Sequence, residues 1–377
     1  MSAPFAKLPA WADYGLIPLL NVTAAFLVSG LVVLSIGENP IDAVRILVWG
    51  AFGFGEGIGF TLFYATNFIF TGLAVAVAFH AGLFNIGGEG QAYLGGLGAG
   101  LVALALDRYV PWWITFPIAI AGAALFGALW AFIAAWLQAY RDSHVVITTI
   151  LLNYIAAALM GWLLVDHLSP VGSMAPETRT FEAGAQFPKL GGLFEAIGLD
   201  IGGAPVNVTF FVALVAAYAV YLLIWRTRLG YEIRTTGLNP VAGVYAGIAP
   251  ARIIIIAMLI SGALAGMMAL NPVLGEQYRL QLELVGGAGF VGIAVALMGR
   301  SHPIGIILAS LLFGMLYQGG AELAFEMPDI TRDMIVVIQA LVILFAGALE
   351  HMFRPSLARI FAALSGSRKT AAASEVS

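Results

Sequence analysis

An all-α, polytopic membrane helix bundle of about ten spans is the predicted fold class, and three observations predict it. The 377 residues are 61% hydrophobic and 10% charged, with a mean hydropathy of +0.95; a soluble surface needs more charge than that. Apolar runs of about 20 residues, enough to cross a bilayer, recur along the chain. The 45 glycines suit helices that must approach closely where lipid supplies no hydrophobic drive. Cysteine is absent, which excludes disulfides and thiolate metal sites.

Taken in order, residues 1–15 form a short amphiphilic lead with Lys7. The apolar run 16–37 is too long for a signal-peptide core and is expected to be a retained first span. Residues 38–61 are Gly-rich and weakly amphipathic, which predicts an interfacial segment. Further spans are expected at 62–80, 91–106, 112–137, 145–166, 207–225, 253–270, 285–299, 303–321 and 334–349. The membrane domain then covers 1–350, and 351–377 is a cytoplasmic tail.

Lys and Arg set the orientation. With the N-terminus inside, Lys7, Arg141, Arg226, Arg228, Arg234, Arg252, Arg300, Arg354, Arg359, Arg368 and Lys369 fall in the cytoplasm. Arg45, Arg108, Arg179, Lys189, Arg279 and Arg332 fall outside. Both termini are therefore expected inside. Segment 167–206, with Pro170, Pro176, Pro188 and Pro205, is expected to be an ordered extracytoplasmic loop.

Spans two to five and seven to ten form two four-span blocks of opposite orientation, the plan of an inverted repeat. The second span of each block, 91–106 and 285–299, is short and Gly-rich. Short, Gly-interrupted segments in matching places point to a transport site. Gly95 and Gly289 are expected where helices approach closely.

A polar island at 226–252 interrupts the apolar chain. Asn239 followed by Pro240 is a helix start, because the Asn side chain accepts from free amides and Pro at the first position has no amide to waste. Gly247 is the expected stop, since glycine takes the left-handed conformation freely. Val241, Val244, Tyr245 and Ile248 fall at helical spacing on one face, and Ala242, Gly243 and Ala246 keep the other slim. Such a short helix is marginal alone. It either lies on its own membrane domain or enters a groove on a partner.

No lysine stands in a phosphate-binding loop, so ATP hydrolysis is not expected of this chain. The five histidines have no metal-binding spacing, and no cofactor is expected. Mid-span acids and lysines of a proton relay are missing. What remains is polar and mostly uncharged. Asn85, Glu89 and Gln91 lie between two spans; Glu89 either caps the following helix or lies on a substrate path. Asn153 is a mid-span hydrogen bonder or a ligand contact. Tyr93 and Phe290 are packing rings or stack on a flat ligand.

AGLFNIGGEGQ (81–91), TTILLNYIA (148–156), RTRLGYEIRTTGLNPVAGVYAGI (226–248), SGALAGMMA (261–269) and GFVGIAVALMGRSHPIG (289–305) resemble the permease subunits of nucleoside-type ABC importers, within the group of simple-sugar and branched-chain amino acid permeases. The resemblance covers about residues 60–320, in order. Gly243 departs from the usual alanine of an NPxAA-like run, and His80 precedes the first motif where a basic or polar residue is common. The resemblance implies that 226–252 is a coupling loop, with Gly237, Asn239, Pro240, Val241, Val244, Tyr245, Gly247 and Ile248 docking in the ATPase subunit. It implies a second homologous permease, an extracytoplasmic substrate-binding lipoprotein and a nucleoside-like cargo moved across the inner membrane by alternating access. A sugar permease or a stand-alone carrier is the rival. Lipid, and no nucleic acid, is the remaining expected contact.

Overall fold

The computed structural model describes residues 12–345, with residue 9 and residues 357–358. The rest of the expected tail lies outside the described residues. A π-helical turn, Ala12–Leu16, leads into α1 (Ile17–Ile36), which ends at Gly37 in a left-handed conformation. The Asn39 side chain accepts the Ile41 amide and starts α2 (Pro40–Phe52). The segment expected at the interface is thus helical, and α3 (Gly55–His80) begins seven residues before the expected 62.

The chain then turns into α4 (Gly88–Leu106), α5 (Trp112–Arg141) and α6 (Val145–Leu163), the last prolonged by a π-helical turn, Leu164–Leu168. The loop that follows is ordered. It holds α7 (Gly191–Ala196) and buries Phe181 and Phe187. α8 (Thr209–Arg226) passes through Thr227 into α9 (Arg228–Leu238), which the sequence did not single out. The Thr227 hydroxyl accepts the Gly230 amide at 3.0 Å and fixes that start. α10 (Pro240–Tyr245) follows.

α11 (Pro250–Met268) continues almost directly into α12 (Leu270–Gly275). α13 (Ala288–Met298) has 11 residues. At about 1.5 Å per residue it reaches about half the hydrocarbon thickness, so the helix formed within the expected 285–299 span is too short to cross alone. α14 (Pro303–Glu326) and α15 (Arg332–Ile343) complete the described helices. Seven described helical stretches are long and apolar enough to cross a membrane, against about ten expected spans.

Two compact units divide the chain: residues 1–46 with 320–377, and residues 47–319. In the first, Val33 of α1 clusters with Ala43, Leu323, Ile330, Ile335 and Ile338. In the second, α3 is the most enclosed span, with 83% of its apolar window buried. Glycines let α4, α5 and α11 touch backbone to backbone. A β-carbon on Gly95 would strike the Gly266 backbone, and one on Gly262 would strike Gly127 and Ala131. The close approach expected at Gly95 is there, in the form membrane helices use.

Candidate functional site

Two helix N-termini meet head to head inside the larger unit. Gly88 opens α4 and Ala288 opens α13. A β-carbon on Gly88 would lie 3.3 Å from the Gly289 carbonyl oxygen, and one on Gly289 would strike the Glu89 backbone. Each N-terminus carries roughly half a positive charge, so abutting them is unfavourable without an anion. Glu89 supplies it. Its Oε1 accepts the Gly287 amide and its Oε2 the Gly289 amide, both at 2.9 Å. Glu89 sits in the first turn of its own helix and caps the facing one. One carboxylate thus offsets both dipoles.

The sequence carried a signal for this junction. Residues 86–90 read IGGEG and residues 285–289 read VGGAG. The same glycine pattern opens both helices, with Glu89 in one copy matched by Ala288 in the other.

Asn85, Gln91 and Asn153 are buried and bonded within the protein. Asn85 and Gln91 exchange reciprocal amide bonds at 3.0 and 3.1 Å, and Asn85 Nδ2 also donates to Ser261. Ser261 donates in turn to the Ala74 carbonyl. Asn153 accepts the Gly90 amide and donates to the Ile86 carbonyl, each at 2.9 Å. These groups hold the irregular 81–87 segment that crosses between α3 and α4, where backbone polar groups need partners. Tyr93 is partly exposed one turn after Glu89, and Phe290 is 49% exposed on α13.

α10 is built as its sequence suggests. Asn239 Oδ1 accepts the Ala242 amide at 3.1 Å. At the other end Gly247 has φ +78°, the Ile248 amide donates to Gly243 and the Gly247 amide to Val244. This is a Schellman stop. Val241, Val244 and Tyr245 are 65%, 57% and 90% exposed. Ile248 is different: at 8% exposure it packs inward beneath Gly243. The chain turns at Gly247, so helical spacing no longer places Ile248 on the outer face. Leu238, just before the cap and outside the periodic set, is 87% exposed. Ala242 is exposed as well.

Gly237 joins this region to the junction. A β-carbon there would meet the His80 carbonyl, and the Gly82 amide at 2.7 Å. The last turn of α9 therefore lies on the backbone that leads into Asn85 and Glu89.

At the opposite end of the unit the 167–206 segment is tied down. Arg179 Nη1 and Nη2 donate to the two Asp107 carboxylate oxygens at 2.6 and 2.9 Å, and the Glu182 amide donates to the same carboxylate. Burial alone would raise the Asp107 carboxyl. The Arg179 bonds, the Glu182 amide and the positive charges of Arg179 and Arg108 outweigh it and hold the group below its ordinary value. The loop also runs along the chain after α12. The Thr178 amide donates to Leu280, Phe181 to Tyr278 and Phe187 to Leu274, and Arg279 pairs with Glu177 at 2.7 Å.

Known proteins resemble the chain along most of its length. The profile of the family described as "Branched-chain amino acid transport system / permease component" matches residues 57–347. The chain is 35% identical to the glucose ABC transporter permease protein of Haloferax volcanii, covering 91% of this chain and 89% of that protein. It is 34% identical to the guanosine ABC transporter permease protein of Bacillus subtilis, covering 88% and 93% respectively. It is 33% identical to the nucleoside ABC transporter permease protein of Lactococcus lactis, covering 88% and 90%.

Proposed function

The chain belongs to the family of branched-chain amino acid transport-system permease components and is an ABC transporter permease subunit; on that premise we propose that it imports nucleosides, driven by a separate ATPase docked on α10. Two of the three relatives above are named for guanosine or nucleosides, which supports the cargo. The glucose permease is as similar, so a sugar is the second reading.

The observation that carries the coupling assignment is α10 itself. A six-residue helix, capped at both ends, offers Val241, Val244 and Tyr245 to solvent in a segment that also holds Arg226, Arg228, Arg234 and Arg252. An apolar face held rigidly outside the spans suits a groove on a partner. The Lys and Arg distribution supports placing α10 and both termini in the cytoplasm and 167–206 outside. A binding lipoprotein would then deliver cargo to the loop side, and a second permease subunit would complete the path. ATP binding would displace α10, and Gly237 would pass that displacement to the backbone at 80–82. Ligand shifts the two access states only by binding them differently.

The test is uptake in proteoliposomes holding the permease pair, the ATPase and the binding protein. Radiolabelled guanosine should accumulate with ATP on the ATPase side and stop without it. Accumulation of glucose instead selects the sugar reading. Uptake that persists without the ATPase and collapses with an ionophore overturns the importer.

A further inference from the structure

Three tyrosines stand out by their surroundings. Between Thr61 and Ala78 of α3, every residue is buried except Leu62 and Tyr64. Between Gly88 and Gly100 of α4, every residue is buried except Tyr93. Between Phe313 and Gly319 of α14, every residue is buried except Tyr317. Three tightly packed stretches thus each leave one polar aromatic residue partly open.

The three residues converge. The Tyr64 and Tyr317 rings lie 5.6 Å apart, and Phe68 braces Tyr317 edge to face at 5.0 Å. The Glu89 carboxylate is within electrostatic reach of the Tyr93 and Tyr317 phenols. Tyr93 follows Glu89 by one turn, so it lies on the same side of α4. Among the described residues, none of the three hydroxyls has a hydrogen-bond partner. Being partly open, these hydroxyls can still take a partner from outside the bundle, and an unpaired polar group there is costly until they do. Asn67, on the same α3 face, accepts from Asn271 and keeps its own amide hydrogens uncommitted among the described residues.

We propose that Tyr64, Tyr93 and Tyr317, with Asn67, line the cargo-binding wall above the α4–α13 junction, and that the ligand is a neutral nucleoside and not its phosphate. This rests on the permease assignment. Phenol rings give a stacking surface and their hydroxyls, with the amide, give neutral donors and acceptors, which matches a base and a ribose. The wall lacks what a phosphate needs. α3, α4, α13 and α14 contain no lysine or arginine, Arg279, beyond α12, is committed to Glu177, and Lys189 faces Glu276, which adds a second carboxylate on the Tyr64 side. Glu89 adds negative charge beneath the wall. An unpaired phosphate would be both desolvated and repelled there.

Tyr→Phe variants isolate the hydroxyls, because they keep the ring packing and break no bond within the described residues. In proteoliposomes of the full complex, Tyr64→Phe and Tyr317→Phe should each raise the KM for guanosine uptake about tenfold, the worth of one hydrogen bond. Maximal uptake per assembled complex should be kept. Tyr218→Phe, on the outer face of α8, is the control and should leave KM unchanged. Excess unlabelled guanosine should compete, and guanosine 5′-monophosphate should not. An unchanged KM in both variants, a fall in maximal uptake at unchanged KM, equal competition by the monophosphate, or accumulation of glucose in place of guanosine each overturns the proposal. A wild-type complex that accumulates neither solute under ATP rejects the permease assignment instead.

Discussion

Glu89 and Gly289 lie on helices that meet end to end: the carboxylate accepts the Gly289 amide at 2.9 Å, and the glycine leaves no room for a β-carbon against the Glu89 backbone. Charge and size are both required at this point. The glutamate offsets two helix dipoles, and the glycine lets them come close enough for one side chain to serve both.

Glu89→Gln keeps the size and loses the charge. It also loses one acceptor, because the amide nitrogen must face one of the two backbone N–H groups. The cost should be about 1.5–3 kcal/mol, more than the 1 kcal/mol or so of an ordinary cap. Thermal unfolding of the purified permease measures it. An unchanged Tm would mean that the junction does not depend on the carboxylate. Normal uptake by the surviving complex would leave capping as the whole role of Glu89.

Gly289→Ala tests the close approach. The added methyl meets backbone atoms that cannot swing aside, so overpacking of about 1–3 kcal/mol is expected. Gly95→Ala should behave alike against Gly266. Gly191→Ala has nothing within 4 Å and should be neutral. Equal effects at Gly289 and Gly191 would remove the steric argument.

Much of this was legible in the sequence, and the rest failed for identifiable reasons. The start of α10 was readable because an Asn cap and a Pro at the first position are local chemistry. Gly95 was readable because small residues in a short span have few other uses. The shortness of α13 was partly readable, since 285–299 is a short, Gly-rich stretch, but its start was not, because residues 285–287 are as apolar as the helix they precede. The partners of Glu89 were not either, lying 198 and 200 residues away. Asn85, Gln91 and Asn153 could be singled out as buried-type polar groups, but their bonds to Ser261, the Gly90 amide and the Ile86 carbonyl could not, because those partners meet them only in the folded chain. Ile248 kept the helical spacing after the helix had stopped.

Asp107→Asn should loosen the 167–206 loop. The mutant keeps one acceptor for Arg179 and loses the charge, at about 1.5–3 kcal/mol. Amide exchange around 178–182 is the readout, with faster exchange expected. The sign of the pH effect follows from the lowered carboxyl. Its stabilisation is complete above the ordinary aspartate value of about 4 and is lost as pH falls through the lower folded value. Wild-type protection should therefore decline only in strong acid, and the Asn variant should lack that step. An identical acid profile in the two proteins would contradict the clamp.

In the proposed transport cycle, energy reaches the spans through the exposed face of α10. Tyr245 is the most exposed of the outward apolar residues there, and burying such a side chain on a partner is worth roughly 1.5–3 kcal/mol. Tyr245→Asp would place a charge in that contact without touching the bundle. Ala242 is also exposed in the free chain but belongs to the slimmer side, so docking is what should distinguish Ala242→Asp from Tyr245→Asp. The measurement is ATPase co-purification, with hydrolysis stimulated by binding protein, for both variants in otherwise monodisperse complexes. Tyr245→Asp should lose the ATPase or its stimulation, and Ala242→Asp should lose much less. Full coupling in Tyr245→Asp, or greater damage from Ala242→Asp, would contradict it.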